Sequence, residues 1–308
     1  MSTLLKAQAN GLELVYETFG KPTQPCILLI MGLGGQLLVW PDAFCQRLAA
    51  AGYFVVRYDN RDIGLSTQLN HLGRPNIIKA SLRARLGLKV PAPYLLSDMA
   101  KDAVGLLDAL GIASAHVVGA SMGGMIAQLV AIHHPDRLKS CTLVMSTSGS
   151  ARLPQANLGL QFGLGGGPKA GERESLIVYG MQGWRLIGSQ GALAAPEDEL
   201  RQKVTRAFDR AFRPAGAARQ LNAIIASGSR SHLLPRIQAP TLVIHGTDDP
   251  LLPVAAAHDL VARIPRAQLK LFPGMGHDFP TPLLVPMADA ILAHIHSTEA
   301  ALAPQRAA

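Results

Sequence analysis

Cysteine is scarce in this 308-residue chain. Cys26, Cys45 and Cys141 lie far apart and form no C-x-x-C pair. An odd, scattered count excludes a disulfide framework and reads as buried or free thiols in a reducing compartment. Aromatic residues make up only 5% of the chain, which leaves a base-stacking platform for nucleic acid poorly supplied. No apolar run reaches the roughly 18 residues of a membrane-spanning helix. Residues 1–20 alternate polar and apolar positions and lack the apolar block of a secretory signal. The expectation is a cytoplasmic protein without stable membrane insertion. Acidic residues are outnumbered, 21 Asp and Glu against 29 Lys and Arg, for a net charge of +8. The densest basic group, Arg74, Lys79, Arg83, Arg85 and Lys89, is interrupted by apolar residues and prolines. It reads as a solvated face rather than a nucleic-acid site. Nucleotide motifs are missing as well. Leu37 stands where the third glycine of a dinucleotide fingerprint beginning at Gly32 belongs, and Gly163 to Lys169 fails the phosphate-loop spacing. No cofactor and no metal site are expected.

What is present is apolar character, 48% of residues, enough for a large α/β core with an insertion. Residues 3–9 and 12–19 read as strands joined at Asn10-Gly11, a strong hairpin signal. Runs at 26–31, 53–58, 116–120, 141–145, 241–245 and 268–272 read as further strands. Helical patterns fall between them at 41–51, 97–110, 125–132, 252–263 and 281–296. Residues 67–93 are irregular and basic, with a short helix near 77–87. From 147 to 236 no strand-like run occurs. Gly163 to Pro168 reads as a flexible link, and 172–190, 197–212 and 215–226 carry helical spacing. The tail 297–308 is Ala-rich and expected to fray. Alternating strands and helices predict a mostly parallel sheet covered on both faces, with ligands at the carboxyl ends of its strands. Residues 1–146 and 237–308 form the predicted core, and 147–236 a helical cap.

The chemistry centres on His116 to Gly124, reading H-V-V-G-A-S-M-G-G. A strand meets a helix there at Ser121, with Gly119 and Gly123 flanking it in the G-x-S-x-G nucleophile pattern. The turn strains the serine backbone and sets its hydroxyl at a helix N-terminus, where developing negative charge is favoured. A serine hydroxyl needs a base, and the base needs an orienting carboxylate. Of the ten histidines, His277 follows the last strand in the loop F-P-G-M-G-H, at the correct end of the sheet. His245, at the end of another strand, is its main rival. The loop after that strand, Gly246-Thr247-Asp248-Asp249-Pro250, supplies the acid from either aspartate. Chain order is then Ser, Asp, His.

Nearly the whole chain resembles an α/β-hydrolase. Within that superfamily it is similar to the aclacinomycin methylesterase-like carboxylesterases. The matching stretches are Met31 to Gly35, Tyr58 to Ser66, Gly119 to Gly124, His245 to Pro250 and Pro273 to His277. The resemblance implies an acid three residues after Gly246, which selects Asp249 over Asp248. It also implies an oxyanion hole from the backbone N–H groups of Met122 and Leu33. Most relatives carry His-Gly at the latter loop where this chain has Met31-Gly32. The donor is a backbone group, so the exchange need not impair it. The charged stretch Asp59 to Ser66 reads as structural, pinning its loop beside the elbow.

The predicted activity is that of a serine carboxylic-ester hydrolase on a small-molecule ester with a short-to-medium acyl group or a methyl ester. Ser121, Asp249 and His277 are the catalytic candidates. Gly32, Met122, Met181 and Trp184 are the substrate-binding candidates. For the methionines, ordinary gap-filling in the core is the competing reading. Lactone hydrolysis, carbon–carbon bond hydrolysis and cofactor-free perhydrolysis run on the same residues. A non-catalytic, ligand-binding member of the fold is the second alternative. A homodimer through the cap or an edge strand stays open.

Overall fold

Asn10 and Gly11 both take positive φ, 49° and 78°. This is the turn geometry that matches the twist of a tight hairpin. It joins β1 (Leu5–Ala9) to β2 (Leu12–Phe19), which pair antiparallel with Ala9 opposite Leu12. The computed structural model describes residues 4–154 and 171–302. The glycine link expected at 163–168 lies outside the described residues.

The sheet continues through β3 (Cys26–Ile30), β4 (Phe54–Tyr58), β5 (Ala115–Ala120), β6 (Leu138–Val144), β7 (Thr241–Gly246) and β8 (Gln268–Phe272). Its eight strands run in the order β1-β2-β4-β3-β5-β6-β7-β8. β2 pairs antiparallel with β4, and every later pair is parallel.

Helices cover both faces. They are α1 (Asp42–Ala50), α2 (Ile77–Arg85), α3 (Leu96–Ala109), α4 (Met122–His133), α5 (Arg173–Ile187), α6 (Glu197–Arg210), α7 (Pro214–Ser227), α8 (Ala255–Arg263) and α9 (Leu284–Leu302). Side chains alternate along β3 as the pleat dictates. Leu28 and Ile30 join Val117 and Leu143 in one core with α3 and α4. Ile27 and Leu29 join Val118 and Val144 in the other with α1 and α9. The central strands are buried on both faces, and their continuous apolar runs follow from that.

Between β6 and β7 the described residues hold only helices, α5 to α7 and short turns. They close a small apolar cluster of their own, Ile177, Met181, Leu200 and Val204. The charged stretch after β4 ties these helices to the sheet. Asp59 meets Arg210 of α6 at 2.7 Å, and Asp62 meets Arg219 of α7 at 2.7 Å. Asn60 Nδ2 donates to the Met31 carbonyl at 2.8 Å.

One expectation is corrected. The tail does not fray from 297, because α9 runs on to Leu302. Glu299 accepts from the Tyr53 hydroxyl at 2.9 Å and faces His116 Nε2 at 3.2 Å, while Thr298 is buried. Cys26, Cys45 and Cys141 are free and buried, and burial pushes each thiol up to about 12. No described helix is long and apolar enough to cross a membrane.

Candidate active site

Four parallel strands deliver their carboxyl ends to one rim. β3 runs into Met31-Gly32-Leu33, β5 into Ser121, β7 into the loop holding Asp249, and β8 into the loop holding His277. Ser121 is the N-cap of α4 with φ 55° and ψ −119°. A β-carbon on a residue at this φ is strained, and only tight surroundings keep it there. The neighbours explain how. A Cβ at position 119 would lie 2.2 Å from the Gly123 carbonyl oxygen, and one at 123 would lie 2.0 Å from the Ile30 oxygen. Only glycine allows β5, α4 and β3 to approach this closely. Ser146, just past β6, donates its hydroxyl to the Ser121 carbonyl at 2.9 Å.

The loops after β7 and β8 are laced together. The Thr247 N–H donates to the Phe272 carbonyl, the Asp248 N–H to that of Met275, and the Gly274 N–H to the Thr247 hydroxyl. A Cβ at Gly246 would sit 2.0 Å from the Met275 oxygen. This contact brings Asp249 to His277. Asp249 Oδ2 lies 2.7 Å from His277 Nδ1, and His277 Nε2 lies 2.9 Å from Ser121 Oγ. The carboxylate can only accept, so the proton sits on Nδ1 and Nε2 is left to accept from the hydroxyl. Asp249 Oδ1 is held by the N–H groups of Leu251 and Leu252 at 2.9 and 2.8 Å. Asp248 is exposed and accepts from the Thr247 hydroxyl instead.

His245 does not reach the serine through any hydrogen bond among the described residues. Its Nε2 donates to the Leu252 carbonyl at 2.7 Å and stands 3.4 Å from Asp249 Oδ2. Burial pushes its pKa down, against the pull of the Leu252 carbonyl and Asp249. Its hydrogen bond to the Leu252 carbonyl braces the acid loop.

Gly32 packs against the nucleophile, since a Cβ there would meet Ser121 Cβ at 2.9 Å. The N–H groups of Leu33 and Met122 carry no acceptor among the described residues. That of Gly34 donates to Gln220 Oε1 of α7 at 2.9 Å, which fixes the adjoining peptide. A hydroxyl, an imidazole, a buried carboxylate and two N–H groups are the parts needed to attack a carbonyl and hold the resulting oxyanion.

A family model of the α/β hydrolase fold matches residues 25–280. The chain belongs to the α/β-hydrolase family. This hydrolase is 32% identical to the rhodomycin D methylesterase DauP of Streptomyces sp. strain C5, over 90% of its own chain and 93% of that protein. It is 31% identical to the rhodomycin D methylesterase DnrP of Streptomyces peucetius, with the same coverage of both. In fold it is similar to a meta-cleavage product hydrolase from Pseudomonas fluorescens IP01, with a TM-score of 0.74 and 20% identity, covering 95% of this chain and 97% of that one.

The pocket candidates fare differently from the rim residues. The Met122 side chain lies in the core with Met99 and Ile126, so only its backbone faces the site. Met181 packs between α5 and α6 with Ile177, Leu200 and Val204. Gap-filling is its observed part. Trp184 lies beneath Lys203, whose Nζ is 3.5 Å from the ring centre, in a cleft of about 270 Å³ shared with Ser189 and Asp278. Burial pushes Lys203 down to about 8, with Asp278 and Glu199 opposing the shift.

Sequence reasoning missed two side chains that hold the hydrolase site from the helical segment. Gln220 is one. Ser189 is the other: its hydroxyl donates to Asp278 at 2.6 Å and accepts from the Gly276 N–H at 2.8 Å, while the His277 N–H donates to the Ile187 carbonyl. Neither stands in a motif. The only local signal was Gly188, which ends a helix.

Proposed function

We propose that the hydrolase is a serine carboxylic-ester hydrolase working through an acyl-enzyme. The observation that carries this reading is the unbroken hydrogen-bonded chain Ser121–His277–Asp249, at 2.9 and 2.7 Å. In this scheme His277 Nε2 takes the Ser121 proton as Oγ attacks the ester carbonyl carbon. The carbonyl electrons move to oxygen and are held by the Leu33 and Met122 N–H groups, each worth about 3–4 kcal/mol to the transition state. The tetrahedral centre collapses, and His277 protonates the departing alcohol. Water then repeats the sequence on the acyl group and restores Ser121. Asp249 keeps the imidazole in the useful tautomer and offsets its transient charge.

The segment 147–236 serves as a cap over this rim in our reading. Support comes from the contacts of Gln220 with Gly34 and of Ile187 and Ser189 with the histidine loop. The substrates we assign are methyl esters and short-to-medium acyl esters. The names of two relatives matched over 90% of this chain, both methylesterases, favour the methyl ester. Three unpaired buried thiols fit a reducing, cytoplasmic setting. Every proposed site residue comes from one chain, so the chemistry does not require a homodimer.

The test is hydrolysis of p-nitrophenyl acetate and butyrate, followed by a panel of methyl esters, longer acyl esters and lactones. Turnover of esters that disappears in Ser121→Ala is expected. Wild-type rates in that variant overturn the mechanism. Failure of a fluorophosphonate to label Ser121 makes the protein a binding module instead.

A further inference from the structure

The stretch between Asp62 and Asp98 contains no acidic residue and five basic ones, Arg74, Lys79, Arg83, Arg85 and Lys89. Its helix α2 starts cleanly, with the Asn76 side chain accepting from the Lys79 N–H at 2.9 Å. α2 packs on α7, and Ala80 is the one residue it buries. Ile78, Leu82 and Leu86 follow at every fourth position, so they share the opposite face. That face is open: Ile78 is 79% exposed, Leu82 57%, Leu86 64%, and Leu88 just beyond is 50% exposed. A nine-residue helix that half-buries Ile77 yet turns Ile78 and Leu82 to water has no folding reason to expose those two.

The cations around it are equally unmatched. Several surface arginines elsewhere meet acids, as Arg47 meets Asp289, Arg137 meets Asp108 and Arg201 meets Glu174, and the exceptions unpaired among the described residues, such as Arg236 and Arg266, stand singly. None of the five between Asp62 and Asp98 has an ion-pair partner among the described residues. Arg83 alone is engaged locally, donating to the Lys89 carbonyl at 2.8 Å.

We propose that α2 and the turn after it form a docking surface for an anionic lipid bilayer, with Ile78, Leu82, Leu86 and Leu88 entering the headgroup region and Lys79, Arg85 and Lys89 meeting its negative charge. The pairing of an apolar ridge with flanking cations is the composition of an interfacial helix. Two other occupants fit less well. A two-fold contact between copies would set five cations against five. Single-stranded nucleic acid needs aromatic platforms, and the one aromatic residue here, Tyr94, is buried against Asp62. The contact is peripheral, since no described helix can span a bilayer. It is also independent of the ester chemistry.

The experiment is co-sedimentation of the full-length protein with vesicles of phosphatidylcholine alone and with about a third phosphatidylglycerol, at low and high salt. Binding to the anionic vesicles that high salt weakens is expected. Each cation near such a surface contributes about fivefold, so Lys79→Gln, Arg85→Gln and Lys89→Gln together weaken binding on the order of a hundredfold. Ile78→Gln with Leu82→Gln also releases the protein. Both variants retain wild-type circular dichroism and hydrolysis of soluble p-nitrophenyl acetate, which separates loss of docking from loss of folding. Equal binding to neutral vesicles, no binding to either, or undiminished binding of the charge variant overturns the proposal. So does tighter binding to single-stranded RNA than to anionic vesicles, or a solution dimer that Ile78→Gln with Leu82→Gln dissolves.

Discussion

At the scale of single residues, the two oxygens of Asp249 do different work. Oδ1 is fixed by two backbone N–H groups, and Oδ2 is left for His277. Asp249→Asn keeps the Oδ1 contacts but can present an NH2 group to the imidazole, which favours the wrong tautomer. Folding is expected to be preserved, with kcat on the ester falling by about 10⁴-fold. Asp248→Asn is the control and leaves the rate unchanged, because that carboxylate is exposed and bonded to Thr247. Parallel stopped assays and melting curves on the two variants check this. Gly123→Ala acts differently. Its Cβ would stand 2.0 Å from a backbone oxygen of β3 that cannot move aside. The variant is expected to lose more than about 3 kcal/mol and accumulate as insoluble protein, which a solubility assay after expression reads. The rim residues were legible in the sequence for a physical reason. Ser121, His277 and the Asp248-Asp249 pair each follow a strand end, where glycine and proline punctuate the chain, and only the family resemblance selected Asp249 from that pair. The Met122 side chain was not legible as core, because an apolar residue on a helix beside the site reads alike whether it meets substrate or another helix.

At the scale of elements, helix and strand periodicities carried the reading. β8 was expected at 268–272 and occupies those residues; α5 and α6 fall within two of the helical segments expected of the insertion, and α7 overruns the third by one residue at each end. Contacts between elements were invisible, since they depend on which distant side chain arrives at which backbone group. The join between α5 and the histidine loop is the main case. Position 276 has no room for a Cβ, which would lie 2.5 Å from the Gly188 carbonyl carbon. Ser189 bridges Gly276 and Asp278, the residues on either side of His277. Ser189→Ala strands a buried N–H and frees one carboxylate oxygen of Asp278, at a cost of about 1–3 kcal/mol. Because the loop also sets the angle of the imidazole, kcat is expected to fall about tenfold with KM nearly unchanged. A fall in stability without any change in kcat would reduce Ser189 to packing. Gln220→Ala tests the matching join to Gly34 in the same assay, with the larger loss expected on kcat.

At the scale of the whole molecule, the titratable groups decide where the fold survives. His116, His245 and His294 are buried, and burial lowers the pKa of each. For His116 the fall is from 6.5 to about 4, further than the neighbouring Glu299 carboxylate lifts it. A depressed folded-state pKa means that below 6.5 the unfolded chain binds protons that the folded chain refuses. Stability is therefore complete above about pH 6.5 and is lost as pH falls toward 4. His116 alone corresponds to at most about 3 kcal/mol across that interval. The expected observation is a melting temperature that is flat from neutral to mildly alkaline pH and drops steeply between pH 6.5 and 5. His116→Gln can still hydrogen-bond Ser140 and Glu299, and it removes one proton from the balance. Its stability should depend on pH less steeply by about 1.4 kcal/mol per unit. The chain's net charge of +8 offers a rival cause, because self-repulsion also grows in acid. Salt separates the two. Repulsion among surface charges is screened, whereas the cost of protonating an imidazole inside the core is not. An acid sensitivity that vanishes in high salt, or that His116→Gln leaves untouched, would assign the effect to the surface rather than to the buried histidines.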